Sequence, residues 1–264
     1  MGDVECSVHR HLILSKGLRT RPMIIAHRGY SGIYPENTLI ALREAIKLNV
    51  DGIEVDARIT KDGCVILMHD ETVDRTTNGS GKVEELTLEQ IKALDAGSWK
   101  GEEFKGESIP TLSEALSCLP DDMVMYVEVK PSNAAREVIS AIEEGGAFDR
   151  VVICSFHPSV LKMVSELRPH LPKVLIVGEC QSMNEFKRLI NVALECGANG
   201  LSIHYGSITA EFVKHAHQRA IGIVAWTVND LRTLSAMLNV GVDAIATDYP
   251  DIVIKALGCD SVTD

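Results

Sequence analysis

The chain has 264 residues, of which 45% are hydrophobic and 24% charged, a balance typical of a folded globular protein with a sizeable core. Its formal net charge of −11 argues against nucleic acid or an anionic membrane surface as the main partner. No run approaches the about 18 apolar residues of a membrane span, and no signal-peptide pattern occurs, so we expect no integral membrane segment.

Seven cysteines are scattered singly along the chain, and no Cys-x-x-Cys pair occurs. An odd number of isolated cysteines is typical of reduced thiols rather than of a disulfide framework or a zinc site. This pattern predicts a cytoplasmic protein.

The predicted elements begin with a short apolar strand over 23–26, a helix over 37–48 and a second strand over 52–57. A turn at 61–63 leads into a strand over 64–68. The polar segment 70–110, with one short predicted helix over 87–94, then interrupts the alternation of strands and helices. The later predicted strands cover 123–130, 151–155, 173–177, 200–203, 221–226 and 244–247, and the helices 112–119, 134–144, 159–167, 184–195, 209–219, 231–238 and 251–257.

The strands of this alternation are short, apolar and rich in β-branched residues, as expected for strands buried on both faces. Eight strand–helix units in about 250 residues predict a (β/α)8 TIM barrel with a small insertion after strand 2. The alternative is an open doubly wound sheet, which is less favoured because no Gly-x-Gly-x-x-Gly pattern follows any strand. We predict an arm over 1–22, one domain over 23–258 with the insertion at 70–110, and a tail over 259–264.

Glu54 and Asp56 lie two residues apart in the second predicted strand. Side chains alternate between the two faces of a strand, so both carboxylates point the same way. Two like charges on one face repel each other, and a hard divalent cation bound through oxygen explains their placement. The alternative is a strand with one solvated face, as in an antiparallel sheet.

The barrel prediction brings further polar residues to the active face, because barrel active sites lie at the C-terminal ends of the strands. Glu128, two residues before Lys130, supplies a third carboxylate on a neighbouring strand. Three carboxylates could share one cation, and ligation by oxygen alone favours Mg²⁺, Ca²⁺ or Mn²⁺ over zinc.

His27 and His69 follow neighbouring segments at the same predicted mouth. A pair of imidazoles can act as base and acid on a scissile bond near neutral pH. Arg28 and Lys130 supply positive charge for a phosphoryl oxygen. Together with a cation, these groups indicate cleavage of a phosphoester. The alternative for each histidine is a structural role at the end of a strand.

Four other histidines carry weaker signals. His157 and His204 also follow predicted strands, and the sequence leaves open whether they take part in the chemistry or only line a substrate wall or a loop. His215 and His217 fall on the predicted helix over 209–219, outside the mouth, where we expect both side chains to be solvated.

The chain carries a series of short motifs in a fixed order. They are His27-Arg28-Gly29, Pro35-Glu36-Asn37-Thr38, Glu54-Val55-Asp56, His69-Asp70, Thr76-Thr77-Asn78-Gly79-Ser80-Gly81, Ile109-Pro110-Thr111-Leu112, Val127-Glu128-Val129-Lys130, Trp226-Thr227-Val228-Asn229 and Thr247-Asp248-Tyr249-Pro250. Each motif alone is unspecific, but the ordered set, from about Ile24 to about Leu257, closely resembles the glycerophosphodiester phosphodiesterases.

The resemblance implies a (β/α)8 barrel that hydrolyses glycerophosphodiesters to sn-glycerol 3-phosphate and an alcohol. It implies one divalent cation held by Glu54, Asp56 and Glu128, with His27 and His69 as the acid/base pair. The substrate or its phosphate would be bound by Arg28, Lys130, Glu36 and Trp226, and Glu36 and Asn37 would help to order the site near His27.

Several points stay open at this stage. We assign His27 as the base and His69 as the acid, but the motifs do not decide which is which, nor whether water or the substrate's own glycerol 2-hydroxyl attacks. The favoured substrate is a small glycerophosphodiester such as glycerophosphocholine or glycerophosphoethanolamine. The alternatives are a lysophospholipase D-type hydrolase and a barrel that binds phosphodiesters without turnover. The sequence predicts neither the physiological metal nor the oligomeric state.

Overall fold

The computed structural model describes residues 21–258, and in this part of the chain eight parallel strands close into a barrel surrounded by helices. The predicted (β/α)8 fold is therefore confirmed. The predicted arm over 1–22 lies outside the described residues except for Arg21 and Pro22, and the predicted tail over 259–264 lies wholly outside them.

The strands follow the predicted order closely. In chain order they are β1 (Met23–His27), β2 (Gly52–Ile59), β3 (Val65–Leu67), β4 (Val124–Val129), β5 (Val151–Ser155), β6 (Lys173–Val177), β7 (Gly200–His204), β8 (Gly222–Trp226) and β9 (Ala244–Thr247). The helices are α1 (Leu39–Lys47), α2 (Leu88–Lys92), α3 (Leu112–Ser117), α4 (Ala135–Glu144), α5 (Pro158–Leu167), α6 (Met183–Glu195), α7 (Ala210–His217), α8 (Leu231–Val240) and α9 (Pro250–Ala256).

The barrel closes through β1, which pairs in parallel with β9 on one side and with β2 on the other. This closure excludes the open doubly wound sheet. The short strand β3 runs antiparallel to the end of β2, where Ala57–Ile59 pairs with Val65–Leu67 beyond the reach of β1. The turn predicted at 61–63 thus connects β2 and β3 as a hairpin, in which the end of β2 extends beyond its pairing with β1.

The first helix begins two residues later than predicted. Thr38 is the N-cap of α1, and its hydroxyl accepts a hydrogen bond from the backbone N–H of Ala41. Because Thr38 takes this role, Asn37 is free to contact the barrel interior.

The two faces of β2 separate as the alternation of side chains predicts. Ile53, Val55 and Ala57 belong to the apolar core between the barrel and its helices. Glu54 and Asp56 point the other way, into the barrel, and this excludes the solvated-strand alternative because both residues are buried. Below them the interior is filled by apolar side chains such as Ile25, Val174 and Val224.

The inserted segment 70–110 packs its own apolar side chains, among them Val73, Val83 and Ile91, around Ile66 and Met68 of the preceding hairpin. It lies beside the mouth of the barrel, against the loop that follows β1. Lys100 Nζ donates a hydrogen bond to the backbone oxygen of Ser31 over 2.8 Å, and the Phe104 ring packs against that of Tyr34. Within the described residues, no helix has both the length and the apolar character needed to cross a bilayer.

Candidate active site

Three carboxylates meet inside the mouth of the barrel. Asp56 on β2 lies directly opposite Glu128 on β4, and Glu54 is two residues before Asp56 on the same face. One oxygen from each of the three residues lies within 4.8 Å of the others, and all three side chains are buried. The structure therefore brings together the three residues predicted as cation ligands, which we call the carboxylate cluster.

The hydrogen bonding of the carboxylate cluster fits a bound cation. Glu54 Oε1, Asp56 Oδ1 and Glu128 Oε1 are buried oxygens that accept no hydrogen bond from any described residue. Lys130 Nζ forms ion pairs with this oxygen of Asp56 over 2.9 Å and with that of Glu128 over 2.6 Å, so Glu54 Oε1 is the one of the three without a close cationic partner. A buried carboxylate oxygen without a partner is costly, and a coordinated metal ion would supply one.

The carboxylate cluster is also electrostatically polarised. Burial and the charge of Asp56 raise the pKa of Glu54 to about 8, and the same two causes raise the pKa of Glu128. Burial alone would raise the pKa of Asp56 as well, but the charges of Lys130 and Arg28 outweigh it and lower that pKa. Asp56 thus stays charged, whereas the raised pKa of Glu54 favours its protonated form when no cation is bound.

Arg28 connects the cluster to the loop after β1. Its backbone lies in the left-handed region, with φ of 57°, and its backbone N–H donates to Glu54 Oε2 over 3.1 Å. Its guanidinium donates to Glu36 Oε1 over 2.8 Å and lies 3.2 Å from Asp56 Oδ2. Burial would lower the pKa of Arg28, but the charges of Asp56 and Glu36 raise it, so the guanidinium stays charged.

His27 is held between two acidic groups. Its Nδ1 lies 2.7 Å from Asp248 Oδ1, and its Nε2 lies 3.8 Å from Glu54 Oε2. Asp248 is itself fixed by Asn229, whose Nδ2 donates to Oδ2 over 2.7 Å, and by the hydroxyl of Ser31. Burial would lower the pKa of His27, but the hydrogen bond with Asp248 and the charge of Glu54 outweigh it and raise the pKa.

His69 is held by residues near the inserted segment. Its Nδ1 lies 2.6 Å from Asp70 Oδ1, and its backbone oxygen accepts two hydrogen bonds from the guanidinium of Arg58. Burial is the main reason that the pKa of His69 is lowered. The side chain is more exposed than that of His27, at 34% against 18%.

Arg75 joins the two halves of the site. Its guanidinium donates to both oxygens of Asp70, at 2.6 and 3.2 Å, and to both oxygens of Glu36, at 2.9 and 2.8 Å. Glu36, predicted as a substrate ligand, is therefore engaged by two arginines, Arg28 and Arg75. Glu36 is therefore placed to order Arg28 directly. Through Arg75 and Asp70 it is also placed to order His69.

These groups surround a cavity of about 140 Å³ at the centre of the mouth, which we call the central cavity. His27, His69, Glu54 and Lys130 line its polar side. Trp226, at the end of β8, lines the apolar side, and its ring packs edge-on against those of Phe156 and His204. His204 thus supports the tryptophan, while His157 lies outside the central cavity.

Sequence reasoning did not assign roles to several residues that fix this site. They are Ser31, Arg58, Asp70, Arg75, Asn229 and Asp248. Asp70, Asn229 and Asp248 lie within the quoted motifs, which was the available signal. Nothing local to Arg58 or Arg75 distinguishes them from surface arginines.

The expectation for His217 was wrong. Its Nε2 lies 2.7 Å from Asp243 Oδ2, and Asp243 also accepts a hydrogen bond from the backbone N–H of Ile223. His217 is half-buried because the end of α7 packs over the start of β8 and β9, at the opposite end of the barrel from the carboxylate cluster.

The comparison with known proteins agrees with this geometry. Residues 27–252 match the Glycerophosphoryl diester phosphodiesterase family. The chain belongs to this family. The resemblance seen in the motifs is thereby confirmed, and so is the expectation of a phosphodiesterase. The family depends on a divalent metal, and the carboxylate cluster is a group that could bind one.

The relatives share most of their length with this chain. The glycerophosphodiester phosphodiesterase of Caldanaerobacter subterraneus is 39% identical over 241 residues, covering 89% of this chain and 97% of that protein. A Bacillus subtilis enzyme of the same name is 33% identical over 253 residues, covering 89% of this chain and 86% of that protein. These names support a glycerophosphodiester phosphodiesterase and give no support to the lysophospholipase D alternative.

Among solved structures, a phosphodiesterase from Oleispira antarctica, in complex with the product sn-glycerol-3-phosphate, has a TM-score of 0.83 and 30% sequence identity. The match covers 90% of this chain and 97% of that one. The shared fold therefore extends over the whole barrel.

Proposed function

We propose that this protein hydrolyses small glycerophosphodiesters, such as glycerophosphocholine and glycerophosphoethanolamine, to sn-glycerol 3-phosphate and an alcohol. The observation that carries this proposal is the convergence of His27, His69 and Glu54 on one cavity at the barrel mouth. The Oleispira antarctica relative holds the product sn-glycerol-3-phosphate, which is the product that we propose for this protein.

The carboxylate cluster would hold one divalent cation through Glu54, Asp56 and Glu128. Ligation by carboxylate oxygens favours Mg²⁺ or Ca²⁺, with Mn²⁺ as a further candidate. When bound, the cation would neutralise charge on the phosphoryl oxygens and lower the pKa of a hydroxyl or an imidazolium beside it.

Arg28 and Lys130 would bind the oxygens of the phosphoryl group that do not belong to the ester bonds. Burial would lower the pKa of Lys130, but the charges of Asp56 and Glu128 raise it, so both side chains stay cationic. Preorganised cations stabilise charge that develops on a phosphoryl oxygen during transfer. Trp226 would contribute an apolar wall for the carbon atoms of the glycerol.

The two histidines would divide the proton transfers. We assign His27 as the base because its Nε2 lies beside Glu54, where the attacking hydroxyl would be activated. His69 would donate a proton to the departing alkoxide, since it is the more exposed of the two. The pKa directions of the two imidazoles, raised for His27 and lowered for His69, would by themselves favour the reverse order.

The attacking oxygen belongs either to water or to the glycerol 2-hydroxyl of the substrate. The second route would form a cyclic phosphate that water then opens, and it has the proximity advantage of an intramolecular nucleophile. His27 and His69 can serve both routes. In direct attack by water, each histidine makes one proton transfer. In the cyclic route the two residues exchange roles in the second step, in which water opens the cyclic phosphate.

The experiment that tests the proposal is a panel of glycerophosphodiesters and one lysophospholipid, read out as glycerol 3-phosphate or lysophosphatidate released. We expect turnover of the water-soluble diesters, loss of turnover in EDTA, and recovery with Mg²⁺ or Ca²⁺. Binding of the diesters without release of product would favour the non-enzyme alternative. Selective turnover of the lysophospholipid would favour the lysophospholipase D alternative.

The cytoplasmic location and the division into arm, barrel and tail stay predictions. The location is supported by Cys64, Cys118, Cys154, Cys180 and Cys196, which are all free thiols in the described part of the chain.

A further inference from the structure

One hydroxyl lies on the apolar side of the central cavity. Strands β6 to β9 contribute six residues to this side, namely Val174, Ile176, Ser202, Val224, Trp226 and Ala246. Ser202 is the only one of the six that carries a hydroxyl. It lies on β7, where its neighbours Leu201 and Ile203 pack outward into the core between the barrel and the helices. The side chain of Ser202 therefore points into the barrel.

The hydroxyl of Ser202 has no partner among the described residues. Its Oγ neither donates nor accepts a hydrogen bond with any residue from 21 to 258, although Ser202 is half-buried. A hydroxyl held among apolar side chains is costly unless it forms a hydrogen bond. Water can supply that bond in the free protein, and a substrate hydroxyl that reaches the same wall can replace the water.

Ser202 and the carboxylate cluster lie on opposite sides of the barrel. The eight strands close in the order β1, β2, β4, β5, β6, β7, β8 and β9, so β7 lies four strands away from β2 in either direction. Glu54 and Asp56 are on β2, and the same cavity is lined by Glu54 and by Ser202. A substrate whose phosphate is held at the carboxylate cluster can therefore extend across the central cavity toward Ser202.

The glycerol half of the proposed substrate has the chemistry that suits this wall. Esterified choline has no hydroxyl, whereas the glycerol of the diester keeps two. Its 2-hydroxyl is on the carbon next to the one that bears the phosphate, and so it stays near the phosphate and His27. The 1-hydroxyl is one carbon further away, and it is the group that can reach the opposite wall.

We propose that Ser202 forms a hydrogen bond with the 1-hydroxyl of the substrate's glycerol and so makes the enzyme selective for a free glycerol end. This inference rests on the proposed hydrolysis and specifies which residue recognises the glycerol. A binding site that is built to hydrogen-bond a substrate hydroxyl discriminates against analogues that lack it, because the protein group is then left unpaired. A lysophospholipid acylated at this oxygen has no proton there to donate and adds bulk at the wall.

The test compares kcat/KM for glycerophosphocholine and for its 1-deoxy analogue, in which propane-1,2-diol replaces glycerol and the 2-hydroxyl is kept. Choline release is measured in both reactions. For the original protein we expect kcat/KM to be about 3- to 10-fold lower with the analogue, the range for the loss of one hydrogen bond. In Ser202→Ala we expect kcat/KM for glycerophosphocholine to fall by a similar factor, so that the difference between the two substrates disappears.

A second variant, Ser202→Cys, keeps nearly the size of the side chain but donates only weakly, and it should also reduce the preference. The matched control is Ser113→Ala, which removes an exposed hydroxyl from α3 and should change neither value. Circular dichroism reports the fold of each variant.

Two results would overturn the inference while the hydrolysis itself stands. One is an equal loss with both substrates in Ser202→Ala, which would mean that the serine acts only on the structure. The other is an original protein that does not distinguish the two substrates. An original protein that releases choline from neither substrate would remove the proposed hydrolysis as well.

Discussion

Asn37 and Asp56 exchange two hydrogen bonds across the floor of the site. The Asn37 amide donates to Asp56 Oδ2 over 2.8 Å, and the backbone N–H of Asp56 donates to Asn37 Oδ1 over 3.1 Å. Asn37 lies in the left-handed region with φ of 57°, a conformation that asparagine tolerates better than most residues. The asparagine therefore fixes one carboxylate of the cluster from the loop before α1.

Replacing Asn37 with alanine should weaken cation binding by about 10- to 100-fold, the usual cost of losing a group that orients a metal ligand. Isothermal titration with Mg²⁺ or Ca²⁺ measures the affinity. The control is Asn49→Ala, which also replaces an asparagine in the left-handed region, with φ of 54°, but at the exposed end of α1. Equal affinities in the two variants would contradict the assigned role of Asn37.

Glu54→Gln should remove most of the activity and most of the cation affinity while leaving the fold intact. An amide keeps the shape of the side chain but supplies a weaker, uncharged oxygen to a hard cation. Activity is measured as glycerol 3-phosphate released over a range of metal concentrations, and the fold by circular dichroism. Full activity of this variant at low metal concentration would disprove the cation site.

Cation binding should strengthen as the pH rises through the pKa of Glu54, which burial and Asp56 raise from 4.5 to about 8. A carboxyl group with a raised pKa holds its proton more tightly in the folded protein. Its contribution to stability is therefore complete below pH 4.5 and is lost as the pH rises through about 8. A cation must displace this proton, so it binds better at higher pH.

The measurement is the melting temperature in EDTA and in saturating Mg²⁺, at about pH 6 and about pH 8.5. We expect the gain from Mg²⁺ to be larger at the higher pH, and we expect Glu54→Gln to abolish this pH dependence. A gain that is constant across the pH range would mean that Glu54 does not exchange a proton for the metal.

His27→Ala and His69→Ala should each lower kcat by at least about 10²-fold, the lower end for general acid–base catalysis, with a much smaller change in KM. A nitrophenyl ester has a leaving group that departs without protonation. It should restore activity in the variant that lacks the acid, His69→Ala, and not in the variant that lacks the base. His170→Ala, at an exposed position after α5, serves as the control.

The outcome of this rescue decides the order of the two histidines. Selective rescue of His27→Ala would reverse the assignment and make His27 the acid. The raised pKa of His27 and the lowered pKa of His69 favour that reversed order. Equal rescue of both variants, or of neither, would show that the proton transfers are not divided between them.

Arg75→Met should lower kcat by about tenfold or more, because the guanidinium holds Asp70 and Glu36, which in turn hold His69 and Arg28. Small displacements of catalytic groups are costly in rate. Arg75→Lys should restore little, since a lysine cannot form the forked contacts with two carboxylates.

The pH–rate profile distinguishes positioning from a merely structural role. Loss of Arg75 should shift the limb that reports His69, whereas the exposed control Arg43→Gln should leave the profile unchanged. A profile that keeps its shape in Arg75→Met would show that this arginine does not act through His69.

Much of the fold could be predicted because its signals are local. Short β-branched strands that alternate with amphipathic helices predict a parallel sheet covered by helices, and the count of eight units favours a barrel over an open sheet. The alternation along β2 likewise placed Glu54 and Asp56 on one face and Ile53 and Val55 on the other, as found. Local signals failed for His217, whose partner Asp243 lies 26 residues away, in the loop just before β9.

The amino-acid sequence by itself thus determined the barrel, the family and the residues that line the mouth, because these follow from periodicity and from motifs of a few residues. Only the tertiary structure decided which groups meet: His27 with Asp248 across 221 residues of chain, and Arg75 with Glu36 across 39. The reason is physical. Side-chain direction follows from the local backbone, whereas the pairing of distant charges depends on how the barrel closes and where the inserted segment packs against it.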